Sequence, residues 1–472
     1  METPIPPPLS PAPATTAVPP PPPPPARPAA FGIGLKLFAI AFLVLALWIA
    51  LQCIDGVRRE RASYRDQAEA EVAQTWGGEQ TIAGPFLVVP FTYPVRTSRE
   101  ILNAHGVPTR TDEVKTAKAS AYFLPAELHV DGQIDPSLRR RGIFTVPVYE
   151  TQLHLRGQFR VDPATIQVEG ATFDWAHARA VWALQNPRGL RTAPTLLWQN
   201  TPVVLEPGAP REEWGETLES PVFVDAKAPG APLVFDLTMD LRGSTRLAVA
   251  PVGAQTEIEL ASTWPDPSFG GASLPVSRTV SAEGFKAKWE QAYFGRGYPQ
   301  QWSDAGQAAV SFSAIANSAS EVRFLQPVDA YRLVERAIKY GVLFLVLVFA
   351  NFFLFEVTAR MRIHPLQYLI VGVALVLFFL GYLALSEFIA AGLAYAASAG
   401  ISTTLVTGYS ACVLKTGRRS LVVGGTLAAT YGYLYFILQL QDYALLAGTA
   451  ALFLLLGMAM WATRKIDWYG GK

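Results

Sequence analysis

Long uncharged apolar runs lie near both ends of the chain and enclose a polar middle region. The first run, from Leu37 to Leu51, has about the length that crosses a bilayer. A second group of apolar runs lies between Lys339 and Trp461. Residues 58 to 335 contain most of the charge and no apolar run of that length. The pattern predicts a membrane protein with a large water-exposed domain inserted after its first span.

Several short segments of the middle region alternate apolar and polar residues. TQLHLRGQFRV, FDLTMDL and EIELASTW all follow a period of two. This period places the apolar side chains on one face of a strand. Because PG, GA and DP turns separate such segments, we predict antiparallel sheets packed as a sandwich or an open barrel. Residues 58 to 75 instead show Arg and Glu at helical spacing, which predicts a helix continuing out of the first span.

The last third of the chain predicts five membrane spans. Its charge-free runs cover residues 340–355, 369–386, 388–414, 421–440 and 443–463. The uncharged stretch around Glu387 is about twice the length that one helix needs, so we expect a turn at Ser386 and Glu387. Together with the first run, this predicts a membrane α-helical bundle of six transmembrane helices with a large inserted β-rich extracytoplasmic domain.

The positive charges of the short loops predict the orientation. On the predicted arrangement the basic loop residues all fall on one side, and these are Arg360, Arg362, Lys415, Arg418, Arg419, Arg464 and Lys465. Glu387 and Asp442 fall on the other side. Because short basic loops stay in the cytoplasm, we expect both termini there and the middle domain outside. Arg58 and Arg61 follow the first span on the outer side, but the tendency of basic loops to stay in the cytoplasm weakens for loops longer than about 60 residues.

These patterns divide the chain into five predicted parts. They are a Pro-rich disordered cytoplasmic tail (1–30), a first transmembrane helix (31–57), the β-rich domain (58–338), a five-helix transmembrane bundle (339–463) and a cytoplasmic C-terminus (464–472). The tail favours polyproline II, and we prefer a low-complexity extension to a docking ligand for a Pro-binding domain. We also prefer a retained first helix to a cleaved signal peptide, because no small-residue cleavage site follows it.

The composition narrows the classes of function. The chain has 39 Lys+Arg against 38 Asp+Glu and therefore lacks the basic excess of a nucleic-acid binder. Half of its residues are hydrophobic, which argues against a disordered chain. Cys53 and Cys412 lie far apart in apolar stretches. We therefore expect neither a disulfide framework nor a Cys-based zinc site.

The sequence shows no pattern typical of catalysis, cofactor binding or metal binding. The histidines are His105, His129, His154, His177 and His364, and none lies in H-E-x-x-H or at metal-ligand spacing from another. No G-x-S-x-G elbow and no P-loop occur. We therefore predict no enzyme activity, no cofactor and no metal. A catalytic pair of distant carboxylates stays an alternative.

WPDPSFGG is the most distinctive segment of the middle domain. Pro265 and Pro267 restrict its backbone. Trp264, Asp266 and Phe269 then form either a rigid interaction surface or, in the interpretation we prefer, a plug at the end of the sandwich.

RIHPLQY forms a predicted cytoplasmic loop. Its candidate interaction residues are Arg362, His364, Gln367 and Tyr368, and Pro365 fixes the turn. A contact or signalling site and an ordinary topology anchor explain this segment equally well.

Small residues recur at every fourth position in two of the last spans. The candidate helix-packing residues are Gly392, Ala396 and Gly400 in one span and Gly424, Ala428 and Gly432 in the next. Small residues at this spacing let two helix backbones approach closely, so we expect the two spans to pack tightly there. Packing within one chain is preferred to packing between two chains. The hydroxyl groups from Thr403 to Ser410 either line a cavity or bond between helices.

Several segments, in order along the chain, match one known family. They are ERASYRDQAEAEV, TIAGPFLVVP, LASTWPDPSFGGASLPVSRTVSAEGFKAKW, YRLVERAIKYGVLFLVLVFANFFLFE, RIHPLQYLIVG, LALSE and RKIDWY. On these segments, from about Phe31 to Tyr469, the chain resembles the CreD family of bacterial inner-membrane proteins. The resemblance implies a role in cell envelope integrity under stress, expression controlled by a two-component system, and links to β-lactam response and colicin tolerance. It implies no molecular activity.

We therefore expect a multi-pass protein of the bacterial inner membrane that supports envelope integrity and the stress response. It would act by binding or scaffolding through a periplasmic domain, with the lipid bilayer and envelope proteins or envelope polymer as partners and no nucleic acid. The alternative is a transporter or flippase of an envelope component, which predicts a polar pocket reaching Glu387 or the face from Thr403 to Ser410. An envelope-modifying enzyme would instead need carboxylates or histidines clustered in a cleft of the middle domain.

Overall fold

The structure is a computed structural model of the chain and describes most of its residues. The described residues are 29–102, 108–208, 214–305, 310–324, 330–358, 363–414, 417–440, 443, 446–450, 453, 456, 457 and 460. The Pro-rich segment, the C-terminal residues 461–472 and Arg362 lie outside this set, and so do the predictions made for them.

The chain divides into two compact units. The helical unit contains the described residues of 1–55, 335–382 and 392–472. The sheet unit contains the described residues of 56–334 and 383–391.

The structure gives the bounds of six α-helices, and residues 446–450 are helical as well. The six helices are α1 (Ala29–Trp76), α2 (Phe312–Ala316), α3 (Ala330–Thr358), α4 (Pro365–Ser386), α5 (Ala391–Leu414) and α6 (Gly417–Gln439). Because α1 runs without a break through residues 58 to 75, the predicted continuation of the first span is confirmed. The predicted turn near Ser386 and Glu387 is confirmed as well, since α4 ends at Ser386 and α5 begins at Ala391.

Three of the described helices are long and apolar enough to cross a membrane. They are the stretch Leu35–Trp76 of α1, α4 and α6. α3 and α5 cover most of two further predicted spans, 340–355 and 388–414. The last predicted span, 443–463, lies mostly outside the described residues. The predicted count of six transmembrane helices is therefore not confirmed.

The sheet unit confirms the predicted β-rich domain, and its described strands form two sheets. The ten-stranded sheet contains β1 (Gln80–Leu102), β2 (Pro108–Phe123), β5 (Thr172–Phe173), β6 (Arg179–Leu184), β9 (Glu206–Pro207), β10 (Thr217–Pro221), β12 (Arg246–Val249), β14 (Pro267–Gly271), β17 (Gln301–Ser303) and β18 (Ser320–Phe324). Its main path runs β14-β18-β12-β1-β6-β10-β9, while β2 and β5 also pair with β1, and β17 pairs with β2.

The eight-stranded sheet has the order β15-β16-β13-β3-β4-β11-β7-β8. Its strands are β3 (Glu127–Arg141), β4 (Phe144–Phe159), β7 (Thr195–Trp198), β8 (Thr201–Val204), β11 (Leu233–Ser244), β13 (Gln255–Ser262), β15 (Ser277–Ser281) and β16 (Gly284–Ala292). Most pairs in both sheets are antiparallel as expected, but β1 pairs with β12 and β3 with β13 in parallel. Both parallel pairs join strands distant in sequence, as the crossover connection of a parallel pair requires.

The predicted strand periodicity places the core side chains correctly. In β11, Phe235, Leu237 and Met239 are at most 1% exposed, and the polar residues between them are only half-buried. Buried side chains of both sheets belong to one hydrophobic cluster, which also includes Phe86 of β1 and Trp182 of β6. The two sheets therefore pack as a sandwich, which was one of the two predicted arrangements.

In the helical unit, single glycines allow close packing against α1. A Cβ atom at Gly341 of α3 would lie 2.9 Å from Leu51, and one at Gly372 of α4 would collide with Leu47. Both leucines are buried. Since lipid tails are as apolar as leucine, close van der Waals packing of this kind stabilises helix association in a membrane.

Candidate functional site

The WPDPSFGG segment packs its two aromatic rings against the sandwich. The Phe269 ring, on the ten-stranded sheet, lies 5.4 Å from the ring of Phe285 and 5.7 Å from that of Trp289, which both belong to the other sheet. The Trp264 ring meets Phe324 edge-on, and its Nε1–H donates to the main-chain oxygen of Asp266 at 3.1 Å. The Asp266 side chain is exposed. This geometry corresponds to the plug rather than to a presented aromatic loop.

The structure gives the HPLQY residues a local role at the start of α4. The His364 N–H donates to the side-chain oxygen of Gln367 at 3.2 Å, and the Leu366 N–H donates to Nδ1 of His364 at 3.2 Å. Pro365 is the first helical residue. Two of the otherwise unpaired N–H groups at the helix N-terminus thus find acceptors, in the manner of a capping box with Pro at N1. The segment is a helix start, which the sequence analysis did not propose.

Tyr368 belongs to a buried polar cluster around Glu356 in the helical unit. Glu356 is 8% exposed and pairs with Lys36 of α1. Its carboxylate also accepts the Tyr368 hydroxyl at 3.1 Å and the Ile363 N–H at 3.2 Å. A buried carboxylate is stable only when its charge and its oxygen lone pairs have partners, and these three donors supply them.

Glu387 is the centre of a second cluster, which lies in the sheet unit. Arg61 donates to both carboxylate oxygens, at 2.8 Å and 2.6 Å, and the Tyr331 hydroxyl donates at 2.9 Å. The Glu387 side chain is 9% exposed. Burial raises the pKa of Glu387, but the hydrogen bonds from Arg61 and Tyr331 outweigh it and hold that pKa below its ordinary value. Burial also raises the pKa of Tyr331 to about 12.

These two clusters correct one expectation and show what the sequence analysis missed. Glu356 and Glu387 both lie at the ends of apolar runs, a position at which we expect water to reach a carboxylate, whereas both carboxylates are largely buried and paired. The cations, Lys36 and Arg61, both lie on α1, and the sequence analysis did not propose a partner for either of them. For the first cluster, an acidic residue directly at the end of one apolar run and a lysine at the end of another are the signal that would have suggested the pair. Arg61 carries no such signal, because it lies ten residues beyond its apolar run.

The small-residue faces of α5 and α6 line a groove in the helical unit. The groove has a volume of about 560 Å³, and its lining residues are Gly392, Tyr395, Ala396, Ala399, Gly400, Thr403, Thr404, Ala428, Tyr431, Gly432 and Tyr435. A Cβ atom at Gly400 or Gly432 would meet nothing within 4 Å. Gly424 alone of the six predicted packing residues is buried, against Thr407 of α5. The expected close packing is therefore found at Gly424, and a Cβ atom at Gly392 would lie 3.3 Å from the Tyr435 hydroxyl of α6, whereas Gly400 and Gly432 border the open groove.

Several hydroxyl groups near this groove are engaged in hydrogen bonds. The Tyr431 hydroxyl bonds Ser402 Oγ at 2.8 Å, and the Tyr395 hydroxyl donates to the main-chain oxygen of Tyr431 at 2.7 Å. Thr404 donates to the main-chain oxygen of Gly400 at 2.8 Å. Hydrogen bonding thus accounts for part of the hydroxyl-rich face, and Thr403 and Thr404 also line the groove.

The face of the eight-stranded sheet that points away from the core carries polar side chains over five adjacent strands. This polar face consists of Asp131, Gln133, Gln152, His154, Arg156, Asp236, Thr238, Glu257, Glu259, Lys286 and Lys288. Across one row, Glu259 lies opposite Asp131, and Asp131 lies opposite His154. Because neighbours in each strand point into the core, the period of two directs all of these side chains outward.

Ion pairs connect the strands across the polar face. His154 Nε2 lies 2.7 Å from Asp236 Oδ1, and Arg156 donates to Asp131 at 2.7 Å. Lys288 pairs with Glu257 and lies 3.6 Å from Glu259. The bond to Glu257 raises the pKa of Lys288, and the same bond lowers the pKa of Glu257.

Two shallow grooves cross the eight-stranded sheet. One has a volume of about 390 Å³ and is lined by polar-face residues that include Asp131, His154 and Lys286. The other, of about 730 Å³, is lined by residues around His129 and Glu290 at the ends of β3, β13 and β16. Open polar grooves of this kind can form many hydrogen bonds with a polar partner.

Three described histidines of the sheet unit each lie within 4 Å of a carboxylate oxygen. His129 lies 3.6 Å from Glu257, His154 lies 2.7 Å from Asp236, and His177 lies 2.8 Å from Asp174. His105 lies outside the described residues. Within the part of the chain that the structure describes, no group of three His, Cys, Asp or Glu side chains could hold a metal ion.

Comparison with known proteins identifies the family. A family model described as "Inner membrane protein CreD" matches residues 32–469. The chain belongs to the CreD family. It is 31% identical to "Inner membrane protein CreD" of Escherichia coli (strain K12) over 436 residues, which cover 92% of this chain and 93% of that protein. The resemblance drawn from the sequence segments is thereby confirmed.

Membership of the CreD family indicates that this chain is an inner-membrane protein. The structure is consistent with this location, because α1, α4 and α6 are long and apolar enough to cross a membrane. Among solved structures, one similar chain is yeast LTA4 hydrolase in complex with bestatin, with 8% identity over 44% of this chain and 30% of that chain. Its TM-score of 0.20 carries no argument about fold or activity.

Proposed function

We propose that this CreD family member supports cell envelope integrity and the stress response by binding or scaffolding through its sheet unit on the periplasmic side of the inner membrane. On this proposal the protein crosses the membrane several times, both termini are cytoplasmic, and no catalytic step is required. The basic residues of the short loops support this orientation. Membership of the CreD family supports the location in the inner membrane.

The polar face is the observation that carries this proposal. It is open, extends over five strands and offers carboxylates, amides, hydroxyls and cations with a hydrogen-bonded arrangement already in place. Small-molecule sites are concave and mostly apolar, whereas this face is shallow and polar. An extended polar partner, either an envelope protein or an envelope polymer, suits such a surface better than a small substrate does.

Site-specific photo-crosslinking in intact cells tests the proposal. A photoreactive residue placed at Gln133 or Thr238 of the polar face should form adducts with envelope-assembly proteins or with envelope polymer. The matched control is the same residue at Glu169, an exposed position outside the polar face. Adducts confined to the polar-face positions are the expected result. No adducts at Gln133 and Thr238, or equal yields at Glu169, would count against binding through this face.

The groove between α5 and α6 favours a second candidate function, a transporter or flippase of an envelope component. It reaches Thr403 and Thr404, as that alternative requires, but its lining does not include Glu387. The ionisable side chains of Glu356 and Lys36 are paired with each other, which disfavours a pump.

Reconstitution in liposomes distinguishes the two candidates. A flippase would accelerate the exchange of a fluorescent phospholipid between leaflets, and Thr403→Val with Thr404→Val would slow that exchange. Under the binding proposal, liposomes with and without the protein exchange the phospholipid at equal rates. Fast exchange that depends on these threonines would favour the flippase.

A further inference from the structure

Strand β15 forms an edge of the eight-stranded sheet in the part of the chain that the structure describes. Its residues, Ser277–Ser281, pair in antiparallel fashion with β16. In an antiparallel pair, alternate residues direct their backbone N–H and C=O groups toward the partner strand and the others direct them away. β15 therefore presents backbone donors and acceptors along its outer side, where a further strand can pair.

Among the described strands, those at the other ends of the two sheets carry features that hinder pairing, and the outer side of β2 beyond β17 carries the charged residues Glu113, Lys115 and Lys118. β8 contains Pro202, β9 contains Pro207, and β14 contains Pro267. Proline removes a backbone donor and is typical of protected edge strands. The remaining ends, β5 and β17, are two and three residues long. β15 has five residues and no proline, so its edge is open by comparison.

Exposed aliphatic side chains follow the same edge. Val276 is 68% exposed and Val280 is 48% exposed. The Val276 N–H donates to the main-chain oxygen of Lys288, so pairing with β16 already begins at this residue. Because Val276, Arg278 and Val280 are two residues apart, they share one face of the strand. We call these three residues the edge strip.

The edge strip has a cation at its centre. The Arg278 side chain is exposed, and its guanidinium lies 5.9 Å from the ring centroid of Phe269. A guanidinium over a ring keeps its N–H edge available for a carboxylate, which it binds in bidentate geometry. The edge strip therefore presents a cationic side chain between two apolar ones. A second copy of β15 paired about Arg278 would oppose two cations, which disfavours self-association.

We propose that β15 binds an extended segment of a partner protein as an added strand. In this partner segment, apolar residues at alternate positions flank a central acidic residue. Main-chain hydrogen bonds to β15 would provide the affinity, as in other cases of strand addition. Contacts with Val276 and Val280 and the pairing of the acidic residue with Arg278 would provide the specificity. This inference goes beyond the proposed function, because it assigns a different surface and the chemistry of its partner.

A fluorescent peptide and the full-length purified protein test the proposal. The probe has nine residues, with valine and threonine alternating around a central aspartate, and binding is measured by fluorescence anisotropy in detergent. The expected result is saturable binding that weakens by about tenfold when lysines replace the valines in the double variant Val276→Lys, Val280→Lys. Val204→Lys is the matched control, because Val204 is a 72% exposed valine on the proline-containing edge strand β8.

A charge reversal provides a second test that does not depend on the lysine variants. Arg278→Glu should weaken binding of the aspartate-centred peptide and strengthen binding of an otherwise identical lysine-centred peptide. Absence of binding by the unmodified protein would overturn the proposal. So would an equal effect of Val204→Lys, or an unchanged peptide preference in the Arg278→Glu variant. Circular dichroism of each variant confirms that the sheets have formed.

Discussion

At the scale of single residues, two buried carboxylates are stabilised by the same kind of arrangement. Glu387 is held by Arg61 and Tyr331 in the sheet unit, and Glu356 by Lys36 and Tyr368 in the helical unit. In each cluster a cation from α1 neutralises the charge and a tyrosine hydroxyl occupies a further lone pair. Removing one member leaves the rest of the cluster with unmet hydrogen bonds, which costs more than the bond itself contributes.

Glu387→Gln should lower the free energy of unfolding by about 1–3 kcal/mol, because the Arg61 guanidinium loses its bidentate partner. The measurement is the thermal midpoint of the purified protein in detergent. Glu60→Gln is the matched control, since Glu60 is an exposed carboxylate on the same part of α1. Its effect should stay within about 0.5 kcal/mol. Equal midpoints for the two variants would contradict a stabilising role of the Glu387 cluster.

The contribution of Glu387 should also depend on pH. Its pKa in the folded protein lies below the ordinary value of 4.5, so folding favours the ionised form. The resulting stabilisation is fully present above pH 4.5 and is lost as the pH falls through the lowered pKa. The difference in thermal midpoint between the native protein and Glu387→Gln should therefore be constant near neutral pH and decrease in acid. A difference in thermal midpoint that grows as the pH falls below 4.5 would contradict a lowered pKa of Glu387 in the folded protein.

At the scale of elements, local sequence accounts for the ends of helices but not for all of their contacts. His364, Pro365 and Gln367 form a helix start that their order along the chain encodes. The repeats of small residues in α5 and α6 follow a known packing pattern, yet most of them border a groove. Whether a flat helix face meets another helix depends on the side chains beside it, and here Tyr395, Tyr431 and Tyr435 also line the groove.

His364→Ala should destabilise the first turn of α4, because the Leu366 N–H loses its acceptor. The expected cost is about 0.5–2 kcal/mol, as for other N-cap residues. Hydrogen exchange of the amides of residues 366–368 measures it. His364→Asn should retain most of the protection, since asparagine is a favourable N-cap residue. If the alanine variant exchanges no faster than the native protein, the capping role is excluded.

At the scale of the whole molecule, the orientation in the membrane is the prediction on which the proposed function depends. The proposed function requires the sheet unit to lie in the periplasm, where envelope proteins and envelope polymer occur. Basic residues of the short loops, such as Arg418 and Arg419, predict which side is cytoplasmic.

Reporter fusions measure this orientation directly. Alkaline phosphatase inserted at the exposed turn around Lys227 should be active, because the enzyme needs the periplasm. A green fluorescent protein fused after Lys472 should fluoresce, because that terminus is expected in the cytoplasm. The controls are the exchanged fusions, with each reporter at the other position, and these should show no reporter activity. The reverse pattern of activity would contradict both the orientation and the periplasmic role.

The sequence alone determined the features that depend on periodicity and on runs of like residues. A period of two identified the core positions of β11, and unbroken apolar runs identified the segments that contain α1, α4 and α6. Family membership also followed from short motifs in order along the chain. These features are local, because burial on one face and the length needed to cross a bilayer act on contiguous residues.

The tertiary structure decided which distant residues meet. Arg61 and Glu387 are 326 positions apart, and nothing in the pattern around either one names the other. The parallel pairing of β3 with β13, the polar face and the open edge at β15 likewise depend on the order of strands in the sheet. Strand order follows from how all the apolar faces are buried together, which is a property of the whole chain. For that reason the candidate binding surfaces became visible only in the folded protein.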